Sequence, residues 1–386
     1  MIIWQIILFV FVLSFLVIIH ELGHYLVAKW QKVRVEEFGI GYPPLALKLF
    51  SIKETVFSLN WIPFGGFVRL DGEEKPRSDE IVDEKKSTKV EQLNGSVPFY
   101  AKGRLSRLAI ILAGATVNFL FGIVAFSIYF SVKGIPELLP DPRVGAVAID
   151  SPVAKANLPI GVNLMGFEYN NSFYKTSSIA EVTGFTSQHL GQEVVIVTTG
   201  QCNEALCNES MSKFPVKIRT KAETPANQGA LGVTFHPVII SQFYPWYQMP
   251  FRGTQFGLEQ ALLLSQLILS SLGAIFLGLF RGQVPTDVAG PVGIFTQAQS
   301  AGFFSGDPFE LLNLAGKLSV NLAIMNVLPI PALDGGRAFF ILIESVVGRK
   351  RLGKIEGYLN YVAFGLLLSL TLLITLKDVG SIFFRK

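Results

Sequence analysis

Residues 2–28 read IIWQIILFVFVLSFLVIIHELGHYLVA. From Ile2 to Ile19 only Gln5 and Ser14 interrupt the apolar run, and a helix needs about 20 such residues to cross a bilayer. The run has no basic start and no small-residue cleavage site, so it reads as a membrane helix and not as a secretory signal peptide. It leads into His20-Glu21-Leu22-Gly23-His24. Positions four apart share one face of a helix, so both imidazoles can bind one zinc ion while Glu21 is left to act on water. The chain has 4 histidines and 29 acidic residues, so chance would supply this pattern only ~0.003 times. A pair of histidines packed in a core is the plain alternative. It fares badly, because His and Glu inside a spanning helix are costly and normally functional. At about 1.5 Å per residue, Ile2 to His20 covers ~27 Å, which puts the motif within the membrane near the far end of the helix.

Composition agrees. Of 386 residues, 50% are hydrophobic, 16% are charged and 32 are Phe; mean hydropathy is +0.45. An ordinary soluble domain carries about 25% charged residues, and a disordered chain is far less apolar. The net charge of +4 does not indicate nucleic acid, because Lys and Arg flank the apolar runs and form no basic face. The partner implied is the lipid bilayer.

Further runs at 105–132, 311–347 and 358–376 make four spans. At 254–281, Gln255, Glu259, Gln266, Ser270 and Gly273 form a polar stripe, which predicts an interfacial helix or one packed on the bundle. Lys29, Lys32 and Arg34, then Lys102, Arg104 and Arg107, bracket the first connection, and Arg349, Lys350, Arg351 and Lys354 fill the last. Both connections therefore face the cytoplasm, and 133–252 lies outside. The expected organisation is a first transmembrane helix (1–28), a cytoplasmic segment with a β-hairpin and a charged linker (29–103), and a second helix (104–132). An extracytoplasmic α/β domain (133–240), an amphipathic region (241–310), a third transmembrane segment (311–347) and a fourth helix (357–377) follow.

In the cytoplasmic segment, EFGIGYPP (37–44) reads as turn chemistry and TVFSLNWIPFGGFVRL (55–70) alternates like strands around Gly65-Gly66. Residues 71–95 are a charge-rich linker. Outside, VGAVAIDSPVAKANLPIGVNLMGF (144–167), EVVIVTTG (193–200), FPVKIRT (214–220) and LGVTF (231–235) make one compact domain of strands and short helices. Cys202 and Cys207 are close enough in sequence for a local disulfide and equally well two free thiols.

A catalytic zinc needs a third protein ligand. Glu36, Glu37 and Glu54 follow the motif in order but lie past its basic flank. Asp334, in NVLPIPALDGGRAFFILIE (326–344), is the better candidate. It lies inside a span, between Pro329/Pro331 and Gly335-Gly336, where irregular backbone is tolerated only if it is buried in protein or lines a cavity. The competing role is to cap a helix that restarts at Gly335. Gly114, Asn118 and Gly122 recur every four residues on the second span. That face is either a helix seam or, if it meets the zinc, one where Asn118 contacts substrate or the transition state.

Together HELGH, FGIGYPP, WIPFGGFVRL, AGATVN, VGAV…SPVAKANL, AGPVGI and NVLPIPALDGG resemble the site-2 protease family of intramembrane zinc metalloproteases, in its bacterial regulator-of-sigma-E type. The resemblance implies a polytopic α-helical membrane protein with a PDZ-like extracytoplasmic domain. It implies one catalytic zinc on His20, His24 and Asp334, with Glu21 as base. It also implies that the glycine-rich strand with Gly65 and Gly66 pairs with an extended substrate. The chain carries Ala115 where the family usually has Pro, Asn157 where Gly is usual and Asn163 where Asp is usual. The activity implied is cleavage of membrane-anchored proteins within or beside their spans, in the bacterial inner membrane. The competing readings are a non-catalytic, membrane-tethered PDZ adaptor and a prenyl-protein protease with a downstream Glu ligand.

Overall fold

A computed structural model describes residues 2–73, 97–203, 206–207, 210–225, 228–281 and 289–384. Most of the charged linker lies outside the described residues. The chain forms two compact units, one of Met1–Lys133 with Trp246–Lys386, the other of Gly134–Pro245.

The first unit is a helix bundle with a β-ribbon. Helix α1 (Ile2–Trp30) carries HELGH, and helix α2 (Arg104–Lys133) packs on it. Their backbones approach closely at Gly23, where a Cβ would come 2.6 Å from the Ala113 carbonyl oxygen. Small residues allow such an approach, and interhelical packing takes the place of a hydrophobic driving force in lipid.

Strands β1 (Val35–Ile52) and β2 (Thr55–Leu70) pair antiparallel with repeated register shifts. Residues 37–40 of β1 face both 56–59 and 66–69 of β2, so the ribbon is more than a simple hairpin. EFGIGYPP, expected as a turn, lies within β1; Gly41 at φ +80° absorbs the bend. Gly65-Gly66, expected between two strands, lies within β2. The far part of the ribbon exposes Leu45, Leu47, Phe50, Trp61 and Ile62.

The second unit is a seven-stranded sheet. Its strands are β3 (Ile135–Val147), β4 (Val162–Tyr169), β5 (Ser172–Lys175), β6 (Glu193–Asn203), β7 (Leu206–Cys207), β8 (Ser212–Lys217) and β9 (Val233–Gln242). The order is β7-β6-β4-β3-β9, with β5 on β4 and β8 on β6. Helix α3 (Pro152–Lys155) starts at Ser151, whose hydroxyl accepts from Ala154 N; α4 (Ile179–Gln188) starts at Ser178, capped in the same way through Glu181 N. Asn157 follows α3 at φ +57°. That left-handed position favours glycine and tolerates asparagine, which explains the substitution seen in the sequence. Val144, Val153, Leu164, Phe167, Val182, Ile196 and Ile218 fill the core, where the Phe167 and Phe185 rings stack at 4.4 Å. Cys202 and Cys207 are paired positions on β6 and β7.

The chain returns to the bundle as α5 (Met249–Phe280), α6 (Pro291–Ser300), α7 (Pro308–Val327), α8 (Asp334–Val347) and α9 (Arg349–Phe384). Among the described residues four helices are long and apolar enough to cross a membrane: Ile2–Trp30, Arg104–Lys133, Met249–Gly278 and Ile355–Gly380. The expected number is also four; by length and composition alone α5 qualifies where the expected segment 311–347 does not. Segment 311–347 is broken: α8 has only 14 residues, and α7 carries Glu310 and Lys317. The break at 328–333 contains Pro329 and Pro331, whose missing N–H groups cannot extend the α7 ladder. Helix α5, expected to be interfacial or packed on the bundle, has the length and composition of a span and packs on α2. Its buried residues Gly253, Gly257, Ala261 and Ser265 recur every four positions, and the first two lie against Ser131 and Ser127 of α2. The polar stripe noted in the sequence lies on the exposed side.

Candidate metal centre

Helical spacing places His20 and His24 one turn apart on the face of α1 turned to α2, with 7% and 9% of their surfaces exposed. Their Nε2 atoms are 3.2 Å apart. Asp334 Oδ2 lies 2.9 Å from His20 Nε2 and 3.2 Å from His24 Nε2. A tetrahedral cation with bonds of about 2.0–2.1 Å holds its ligand atoms roughly 3.3 Å apart. The triangle is of that size.

The protonation pattern agrees. His24 Nδ1 lies 2.8 Å from the Ile110 carbonyl oxygen, which can only accept, so the proton is on Nδ1 and the Nε2 lone pair faces the triangle. Two nitrogens and a carboxylate oxygen converge there, an arrangement that could hold a shared cation. Gly114 of α2 leaves the room: a Cβ on it would lie 2.5 Å from His24 Nε2 and 2.7 Å from His20 Nε2. Two imidazoles and one carboxylate are a zinc donor set with a position left open for chemistry.

Asp334 begins α8 after Leu333, which offers no side-chain cap, and its carboxylate bonds His20. It points to the histidines, with the positive end of the α8 dipole behind it. The other sequence candidates are elsewhere. Glu37 accepts from Ser58 at 2.6 Å and pairs with Arg69 at 3.1 Å, and Glu54 lies 3.9 Å from Arg34. Among the described residues, His20, His24 and Asp334 form the one cluster of three such donors.

Glu21 lies beside β2: a Cβ on Gly66 would be 3.2 Å from Glu21 Cγ. Gly65, at φ +85°, packs against the Tyr42 ring. Asn118 is fully buried, with Nδ2 3.4 Å from His20 Nδ1.

Three features escaped the sequence reading. Tyr42 lies near enough that burial first, then the Glu21 and Asp334 carboxylates, raise its phenol above the ordinary value. Arg107, counted only as a basic flank, is buried and pairs with Glu344 of α8 at 2.7 Å. Arg337, one turn after Asp334, pairs with Glu73 past the end of β2 at 2.5 Å. Such pairs join residues hundreds of positions apart and have no local signature.

The chain matches Peptidase family M50 over residues 8–370. It belongs to that family. The resemblance to the site-2 proteases is thereby borne out. The chain is 30% identical to a Clostridium perfringens protein provisionally named a zinc metalloprotease, over 95% of this chain and 96% of the relative. It is 28% identical to a similarly named Clostridium acetobutylicum protein, over 97% of each chain. Similarity to the zinc metalloprotease RasP of Bacillus licheniformis is 26%, over 98% of this chain and 99% of that one. This family member is a zinc metalloprotease with a catalytic zinc ion, built as a multi-pass membrane protein.

Proposed function

We propose that the chain is an endopeptidase that cuts membrane-anchored proteins within or beside their transmembrane segment. The observation that carries this reading is the convergence, at 2.9–3.2 Å, of Asp334 on His20 and His24, the two histidines lying on a helix apolar enough to span a membrane.

His20, His24 and Asp334 hold the zinc. When bound, zinc acts as a Lewis acid that makes water acidic near neutral pH and polarises the scissile carbonyl. Glu21 follows His20 directly and is rotated about 100° from it around α1, so it serves as general base and not as a ligand. Its carboxylate takes the proton from the attacking water and returns it to the leaving nitrogen. A helical substrate hides its carbonyls and must unwind first. β2 offers an extended partner for a peptide around Gly65 and Gly66, close to Glu21.

Unit 134–245 is assigned as a PDZ-like access filter outside the bacterial inner membrane, with β1 and β2 on the cytoplasmic side. The bundle supports one direction of travel. Asp307, which caps α7, pairs with Lys133 at the end of α2, so α7 runs from the outer end of α2 inward to Asp334. Helix α6 is at that outer end too, since Phe295 packs on Phe9 and Gln299 bonds Gln5 near the start of α1. Helix α5, whose buried face at Gly253 and Gly257 lies against Ser131 and Ser127 of α2, is assigned as a bundle-packed helix that enters from the outer side, and α7 with α8 as the third crossing.

The test is cleavage of a reconstituted single-span substrate in proteoliposomes, with products mapped by mass spectrometry. Cuts within or next to the span support the proposal; cuts confined to soluble loops remote from it overturn it.

A further inference from the structure

His24 and His20 meet α2 at sites eight residues apart. His24 Nδ1 donates to the Ile110 carbonyl, Gly114 makes room at both Nε2 atoms, and Asn118 faces His20 Nδ1 at 3.4 Å. Residues 110, 114 and 118 share one face of α2. The backbone at Asn118 is held in turn, because the Ser319 hydroxyl of α7 donates to its carbonyl at 2.8 Å.

Asn118 has no exposed surface, and its Oδ1 is buried without a hydrogen-bond partner. An unpaired buried carbonyl oxygen is costly. When His20 binds a metal through Nε2, its Nδ1 carries a proton and donates. An amide nitrogen facing that donor would oppose it. Turning the amide by a half-rotation, which exchanges nearly identical atoms, brings Oδ1 to the same place and gives both groups a partner. A contact with substrate fits less well, because the side chain reaches no open surface.

We infer that Asn118 is the positioning residue for His20: its amide oxygen accepts the Nδ1–H and so keeps the Nε2 lone pair directed at the metal. The inference rests on the metal centre proposed above. Metal-bound histidines generally need such a partner, and its loss costs about 10–100-fold in metal affinity. Here α2 supplies both partners, a backbone carbonyl for His24 and a side chain for His20.

The experiment measures the zinc dissociation constant of the full chain in detergent by competition with a chromophoric chelator, with the visible spectrum of the cobalt-substituted protein as a second readout. Wild type, Asn118→Leu and Asn118→Asp are compared. The leucine variant, which keeps volume and removes the acceptor, is expected to bind zinc about 10–100-fold more weakly and to shift the cobalt spectrum. The aspartate variant keeps an acceptor and is expected to stay within a few-fold of wild type. A helix seam alone would give the reverse order, because leucine packs well and a buried charge does not. Wild-type affinity in the leucine variant, or loss of zinc in the aspartate variant, overturns the inference. Should the leucine variant fail to fold, the aspartate variant still decides. A wild-type chain that binds no zinc would instead overturn the metal centre itself.

Discussion

Adding one methyl group at Gly114 tests how closely α2 is fitted to the metal centre. A Cβ there would lie 2.5 Å from His24 Nε2 and 2.7 Å from His20 Nε2. Ordinary contact begins near 3.4 Å, so the two rings must retreat by about 0.7–0.9 Å. Neither moves easily, because His24 is tethered to the Ile110 carbonyl and α1 rests on α2 at Gly23. Zinc sites tolerate about 0.2 Å in ligand distance, and a misplacement near 1 Å costs on the order of 10²-fold in a tuned site. Gly114→Ala should therefore lower zinc affinity about 100-fold or more. The helix itself should gain, since alanine is favoured over glycine by roughly 1 kcal/mol in a helix interior. The assay is zinc content after equilibrium dialysis against a graded chelator, alongside helical circular dichroism. A folded variant with wild-type zinc affinity would refute this account of the centre.

Breaking the Arg107–Glu344 pair, whose side chains are 9% and 11% exposed, takes the guanidinium away from a buried carboxylate. Arg107→Met should destabilise by about 3–5 kcal/mol, and replacing both residues by Met should restore most of that; denaturant unfolding in detergent reads both, and an unaffected single variant would contradict the burial. For topology, a reporter fused after Lys86 should read cytoplasmic and one within 134–245 should read extracytoplasmic. An external signal at Lys86 would overturn the assignment.

The centre was largely legible in the sequence, for a physical reason. HELGH lies on one helix, where 3.6-residue periodicity fixes the geometry before any tertiary contact forms. Asp334 was legible because a carboxylate among apolar residues and prolines needs a partner. What α2 contributes was only half visible. The repeat of Gly114, Asn118 and Gly122 marks a close-packed face, but not which histidine nitrogen each residue meets. The β-ribbon was misread at EFGIGYPP because glycines and prolines signal turns locally, while pairing with β2 carries the strand through them. Helix α5 shows the same limit. Its sequence contains both the polar stripe and the small-residue repeat of Gly253, Gly257, Ala261 and Ser265, and only packing on α2 reveals which one is buried.

The account's central claim is that Glu21 performs chemistry while His20, His24 and Asp334 hold the metal. Glu21→Gln keeps shape and hydrogen bonding but removes the basic carboxylate; Asp334→Ala removes one of three ligands. The most direct measurement sets zinc content and cleavage of a reconstituted membrane substrate side by side for both variants. Glu21→Gln should retain stoichiometric zinc and lose cleavage by about 10²-fold or more, the scale for a missing general base. Asp334→Ala should lose both zinc and cleavage. Full activity in Glu21→Gln, or undiminished zinc affinity in Asp334→Ala, would contradict the account.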